Sequence, residues 1–221
     1  MFIERNICNP EARSGWIEVI AGCMFSGKTE ELIRRLKRSS IAKQRTIIFK
    51  PSIDTRYHPE DVVSHNANKI KSVPVKSSKD ILALAGDAEV VGIDEAQFFD
   101  EGIIDVANEL ANSGKRVVIA GLDMDYTGKP FGPMPYLLAI AEFVTKVNAI
   151  CTQTGEIGSY TYRLSREGNQ VQVGEKEAYE ARGRRAFFEG MKGKEVYRIV
   201  EKSKVIKSKS KGKAKKKSVS R

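Results

Sequence analysis

Cysteine is scarce in this chain: three residues, Cys8, Cys23 and Cys151, spaced far apart. That excludes a disulfide-stapled scaffold and points to a reducing compartment, the cytoplasm. Long apolar runs are also missing. The longest are strand-sized, well short of the ~20 residues a membrane-crossing helix needs. The first residues, Met1-Phe2-Ile3-Glu4-Arg5, lack a basic segment followed by an apolar one, so no signal peptide is expected. Acidic residues are absent from Lys202 to Arg221, which carry nine lysines and one arginine. This tail holds the whole formal net charge of +10, leaving 28 basic against 28 acidic side chains in the rest. The body is therefore balanced, which argues against a nucleic-acid-binding surface there. The tail has almost nothing to bury, is expected to be disordered, and reads as a solubilising extension with at most weak, salt-dependent affinity for nucleic acid.

What is present is a chain of 221 residues, 41% apolar, enough for one domain with a small lobe. The run Gly22-Cys23-Met24-Phe25-Ser26-Gly27-Lys28-Thr29 fits the phosphate-loop pattern. Glycines let the backbone curl so that successive N–H groups converge on phosphate oxygens. Lysine adds positive charge near the β- and γ-phosphates, and the threonine hydroxyl can ligate Mg²⁺. An apolar strand over 16–21 and a helix over 30–43 flank it, the arrangement the motif requires.

Further on, strands are expected at 45–50, 71–75, 88–93, 116–120 and 143–150, and helices at 77–85, 100–112 and 136–142. Ser78 reads as the cap and Gly86 as the stop of the second helix. Long irregular loops are expected at 52–68 and 121–135. Alternating strands and helices imply an α/β core with a largely parallel sheet. The pattern changes at Cys151. Residues 151–174 read as a loop or hairpin lobe, and 177–189 as a short helix.

A second phosphate-site motif ends the strand at 88–93: Asp94-Glu95-Ala96-Gln97. A parallel strand delivers its last residues to the carboxyl edge of the sheet, where the phosphate loop also lies, and the two strand ends are expected to be neighbours. Asp94 is then placed to hold Mg²⁺ opposite Thr29, and Glu95 to accept a proton. The same four residues resemble the acidic box of helicases, but the chain has no room for a second motor domain. A P-loop ATPase acting with nucleic acid through the basic tail is the alternative reading, and a non-catalytic protein that binds nucleotide or nucleic acid a third.

With both motifs in place, the chain resembles the type II thymidine kinases from about Trp16 to Phe188. Met24 to Glu30, with Thr29 where Ser is commoner, Lys50 with Asp54-Thr55-Arg56-Tyr57, Gly92 to Phe99, Gly121 to Tyr126 with Lys129-Pro130-Phe131-Gly132, and Tyr160-Thr161 with Val173 to Phe187 all carry the likeness. The resemblance implies a RecA-like P-loop core with a small C-terminal lasso lobe. Its divisions are 1–15 as an extension, 16–150 as the nucleotide-binding core, 151–190 as the nucleoside-binding lasso and 191–221 as a segment ending in the tail. It implies transfer of ATP's γ-phosphoryl group to the 5′-hydroxyl of thymidine, in the service of DNA-precursor salvage. Glu95 would be the general base, and Lys28 and Arg56 would stabilise charge on the transferring group. Gly22 to Thr29 and Asp94 to Gln97 would bind ATP. Thr29 and Asp94, with Asp54 assisting, would hold Mg²⁺. Met24, Phe98, Leu122, Tyr126, Phe131, Thr161 and Tyr179 would surround the base. A homotetramer is the family's assembly.

One departure concerns zinc. Many members of that family hold a structural zinc with two Cys-x-x-Cys-like pairs. Here the pairs read Cys151-Thr152-Gln153-Thr154 and Gly183-Arg184-Arg185-Ala186. One thiolate cannot build a closed tetrahedral site, so no structural zinc is expected. Packing by Phe187 and Phe188, or a subunit contact, would hold the base of the lasso instead.

Overall fold

Short runs of valine and isoleucine, apolar at successive positions rather than alternate ones, form the centre of the protein. Such runs suit parallel strands that are covered on both faces. A computed structural model describes residues 14–53, 61–63, 69–164 and 178–192. In chain order the core comprises β1 (Trp16–Gly22), α1 (Lys28–Ile41), β2 (Thr46–Pro51), β3 (Asp61–Val63), β4 (Lys69–Lys71), β5 (Val73–Val75), α2 (Ser78–Ala85) and β6 (Val90–Ile93). A 3-10 turn (Ala96–Phe98), α3 (Ile103–Asn112), β7 (Arg116–Leu122), α4 (Met134–Ile140) and β8 (Phe143–Lys146) complete it.

Six of these strands make one all-parallel sheet in the order β5-β2-β6-β7-β1-β8. Ile17, Val19, Phe49, Val91, Ile93, Val117 and Ile119 face Ile81, Ile103, Leu110 and Leu137 of α2, α3 and α4. Ile20, Ile48, Val90, Val118 and Ala120 face Leu32, Ile33 and Leu36 of α1. The sheet is thus a middle layer between helices. β7 lies between β1 and β6, so the two motif strands are not neighbours, contrary to expectation. Their ends still share the carboxyl edge, because every strand of the sheet runs the same way.

Local differences from the sequence reading have local causes. α1 begins at Lys28, two residues early, directly after the loop. The cap of α2 is Ser77, not Ser78: its Oγ accepts from the Lys79 N–H (3.2 Å), and Asp80 accepts from the Ser77 N–H (3.0 Å). Ser78 instead donates to Asp100 Oδ1 at 2.6 Å. The loop 52–68 contains β3, which pairs antiparallel with β4. The expected strand 143–150 is two strands: β8, and β9 (Ala149–Ile150), which pairs antiparallel with β10 (Ile157–Gly158).

The C-terminal lobe adds a second ribbon, β11 (Tyr160–Arg163) with β12 (Tyr179–Arg182), and then α5 (Arg184–Gly190). Residues 179–182, expected to be helical, are therefore a strand. Phe187 is fully buried with Tyr160, Tyr162 and Met191, and stacks on Tyr160 with ring centroids 4.5 Å apart. Phe188 is 43% exposed, and its ring meets Tyr160 and Phe187 edge to face at 5.7 and 5.3 Å between centroids. The turn at Cys151 is tied to β12 by Glu180, whose carboxylate accepts from Thr152 Oγ1 (2.8 Å), Gln153 Nε2 (3.2 Å) and Arg182 Nε (2.6 Å).

Candidate nucleotide and nucleoside site

The phosphate loop leaves β1 and turns tightly. Phe25 (φ 64°) and Gly27 (φ 84°) both take the left-handed conformation, and Gly27 opens directly into α1. Glycine adopts it without steric cost; Phe25 does so only because its surroundings hold it there. The loop's first residues are anchored from the C-terminal lobe. The Cys23 thiol is buried and donates to the Gly158 carbonyl at 3.1 Å; burial pushes its pKa up, so this residue serves the loop through its backbone. The Met24 N–H donates to Thr161 Oγ1 at 3.0 Å. Ser26 Oγ and Lys28 Nζ both donate to the Cys23 carbonyl, each at 2.7 Å.

Lys28 is thus folded back onto its own loop. Burial depresses its pKa, while Glu95, Asp94 and Asp123 oppose that shift through their charge. One ammonium therefore lies in the field of three carboxylates at the carboxyl edge. Thr29 Oγ1 donates to Asp94 Oδ2 at 3.3 Å, which brings together the hydroxyl and carboxylate that would share Mg²⁺. Asp94 is buried, and its Oδ1 accepts from the Glu95 N–H at 3.0 Å. Glu95 itself has φ 52° and ψ 41°, a left-handed residue that turns the chain from β6 into the 3-10 turn. Ala96 is buried in the sheet core, so its side chain faces away from the edge.

Beyond the turn, the half-buried rings of Phe98 and Phe131 meet edge to face, centroids 5.6 Å apart. The loop that carries Phe131 is held by Asp125, whose Oδ1 accepts from the Thr127 N–H (2.8 Å), Thr127 Oγ1 (2.6 Å) and the Lys129 N–H (3.0 Å). Tyr126 is half-buried under the Arg163 guanidinium, 5.2 Å from its ring centre. Met24 and Leu122 are half-buried too. Tyr179 lies buried on β12.

The family model described as "Thymidine kinase" matches residues 15–187. The chain belongs to the thymidine kinase family. A thymidine kinase of Bacteroides fragilis (strain YCH46) is 60% identical over 168 residues, covering 76% of this chain and 84% of the relative. One from Rhodothermus sp. (strain ITI 518) is 56% identical over 173 residues, or 78% and 81% of the two chains. One from Porphyromonas gingivalis (strain W83) is 59% identical over 167 residues, or 76% and 82%.

Set against this family, the residues expected from sequence divide clearly. Gly22 to Thr29 and Asp94 to Gln97 come to one edge of the sheet, with Phe98, Leu122 and Phe131 beside them. Asp54 and Arg56 lie outside the described residues, as do Val173 to Glu177 of the lasso and the lysine-rich tail. Thr161, expected to touch the base, accepts a hydrogen bond from the phosphate loop. Gln97, expected to bind ATP, has its amide engaged by protein groups. Sequence reasoning missed Asp123, a buried carboxylate at the end of β7 whose Oδ2 lies 2.8 Å from Lys146 Nζ at the end of β8. The strand-end logic that found Asp94 applies equally to Asp123. Among the described residues no group of three or more His, Cys, Asp and Glu side chains is arranged to hold a metal, and no helix is long and apolar enough to cross a membrane.

Proposed function

We propose that the protein is a thymidine kinase that transfers the γ-phosphoryl group of ATP to the 5′-hydroxyl of thymidine. One observation carries the reading of the site. Glu95 directly follows the carboxylate that meets Thr29 of the phosphate loop, so a proton acceptor and a triphosphate cradle share one edge of the sheet. Phosphoryl transfer needs positioning and charge stabilisation more than covalent help. The loop N–H groups and the start of α1 would hold the phosphates. Lys28 would exchange the Cys23 carbonyl for phosphate oxygen, gaining an anionic partner. Thr29 and Asp94, with Asp54 assisting, would hold Mg²⁺, which when bound would offset phosphate charge. Glu95 would take the proton of the 5′-hydroxyl as that oxygen attacks phosphorus and ADP departs, with Arg56 beside the transferring group. Met24, Phe98, Leu122, Tyr126, Phe131, Thr161 and Tyr179 would enclose the base.

The resemblance makes the assembly a homotetramer; the scarcity of cysteine points to the cytoplasm, and with one cysteine left of the four ligand positions no structural zinc would bind at Cys151. E95Q tests the catalytic assignment. It should lower kcat at least about 100-fold while ATP binds with nearly unchanged affinity. Wild-type turnover in E95Q would remove Glu95 from this role.

A further inference from the structure

Gln97 is 3% exposed and both ends of its amide are committed. Nε2 donates to Glu95 Oε2 in a short hydrogen bond, and Oε1 accepts from the Leu122 N–H at 2.9 Å. The chemistry fixes which end is which. A flipped amide would set its carbonyl against the Glu95 carboxylate and its NH₂ against the Leu122 N–H, losing both bonds. Two glycines pack closely on this residue, one on its side chain and one on its backbone. A Cβ on Gly121 would stand 3.0 Å from Oε1 and 2.6 Å from Met134 Sδ. Gly132, at φ 49°, approaches the Gln97 carbonyl so closely that a Cβ would come within 2.5 Å of it. Three segments therefore converge on one glutamine: the 3-10 turn, the end of β7, and the loop after it.

The position of Leu122 gives this convergence a meaning. In the sheet register Leu122 pairs with Gly22, the first residue of the phosphate loop. β7 separates β6 from β1, so the two strands share no ladder, and Asp94 reaches the loop only through its side chain on Thr29. Gln97 adds a second link, from Glu95 to the strand that sets the loop's register. Glu95, held in a left-handed backbone state, needs such an anchor if its carboxylate is to point in one direction.

We infer that Gln97 is a positioning residue, which fixes the Glu95 carboxylate relative to the phosphate loop rather than binding ATP through its amide. This rests on Glu95 being the general base. A base displaced by a fraction of an ångström still permits both substrates to bind, so the cost falls on kcat.

The test uses full-length Q97M and Q97E, each alone and combined with E95Q, with steady-state kinetics for ATP and thymidine and a thermal melt of every variant. Q97M keeps the volume without either hydrogen bond. Q97E keeps the acceptor for the Leu122 N–H but loses the donor to Glu95, which guards against a variant that simply fails to fold. Each should lower kcat roughly 10–100-fold with both KM values within about threefold of wild type. In the E95Q background each should change the residual kcat less than about twofold, because an aid to Glu95 has nothing left to aid. Unchanged kcat in the folded variants, a loss that appears chiefly in KM for ATP, or the same loss with and without Glu95 would overturn the inference while leaving the base in place. Full activity of E95Q alone would bring down both together.

Discussion

Glu18 occupies the middle of β1, where the strand's pattern calls for an apolar side chain, yet it is almost fully buried. Arg116 Nε donates to it at 2.6 Å, Arg35 Nη1 at 2.7 Å and Trp16 Nε1 at 2.8 Å. Burial pushes its pKa up, but donors and charge from Arg116, Trp16 and Arg35 prevail and hold it below the ordinary carboxylate value of 4.5. E18A would leave two partly buried guanidinium groups without their carboxylate. It should cost about 3 kcal/mol, read as a melting temperature roughly 6–12 °C lower. The sign of the pH effect follows. A carboxylate with a depressed folded-state pKa contributes stability above its unfolded pKa and loses it as pH falls through the folded value. Glu31, drawn down to about 2 by hydrogen bonds from Arg34, behaves likewise but from a more exposed position, where solvent screening reduces its share. Wild-type stability should therefore fall as pH drops below about 4.5, and E18A should lose less of it in a denaturant titration. An acid dependence unchanged by the substitution would show that Glu18 is not the group responsible.

At the scale of elements, β11 and the phosphate loop behave as joined parts. Thr161 of β11 holds the Met24 N–H, and Gly158 of β10 holds the Cys23 thiol. The lobe proposed to cover the nucleoside thus also braces the phosphate loop. T161V keeps the shape but removes the acceptor, so KM for ATP should rise about three- to tenfold, the cost of an unmade hydrogen bond, while T161S stays near wild type. If both variants alter only KM for thymidine, Thr161 touches the base and does not brace the loop. The helices and strands of the core were legible in sequence because their apolar spacing is regular and both motifs sit at element ends. The short elements were not. β12 (Tyr-Glu-Ala-Arg) carries no period of its own; its pairing comes from partners such as Tyr160 opposite Arg182. The break between β8 and β9 falls in a run without glycine or proline to mark it, where the Val147 N–H still bonds the Ala21 carbonyl. At α2 the two serines look alike in sequence. Only Asp80, three residues after Ser77, and Asp100, distant in the chain, assign one as the cap and the other as a partner.

For the molecule as a whole, the order of strands was the least legible feature, because it depends on pairings between distant segments. Sequence placed both phosphate-site motifs at one edge but not β7 between them, and that insertion is what brings Leu122 and Asp123 into the site. Local pattern singled out Glu95 and Lys28 as candidates; it could not show that Gln97 reaches back to Glu95 while also accepting from the Leu122 N–H of β7. The charge balance of residues 1–201, with the surplus confined to 202–221, fits a site for small anionic and neutral substrates rather than a nucleic-acid track. The most direct measurement supplies the full chain with ATP labelled in its γ-phosphate and, in parallel, thymidine, other nucleosides, DNA and RNA. The label should move to the 5′-oxygen of thymidine, with little ATP turnover in the nucleic-acid arms. ATP turnover stimulated by DNA or RNA, with no label on any nucleoside, would contradict the account.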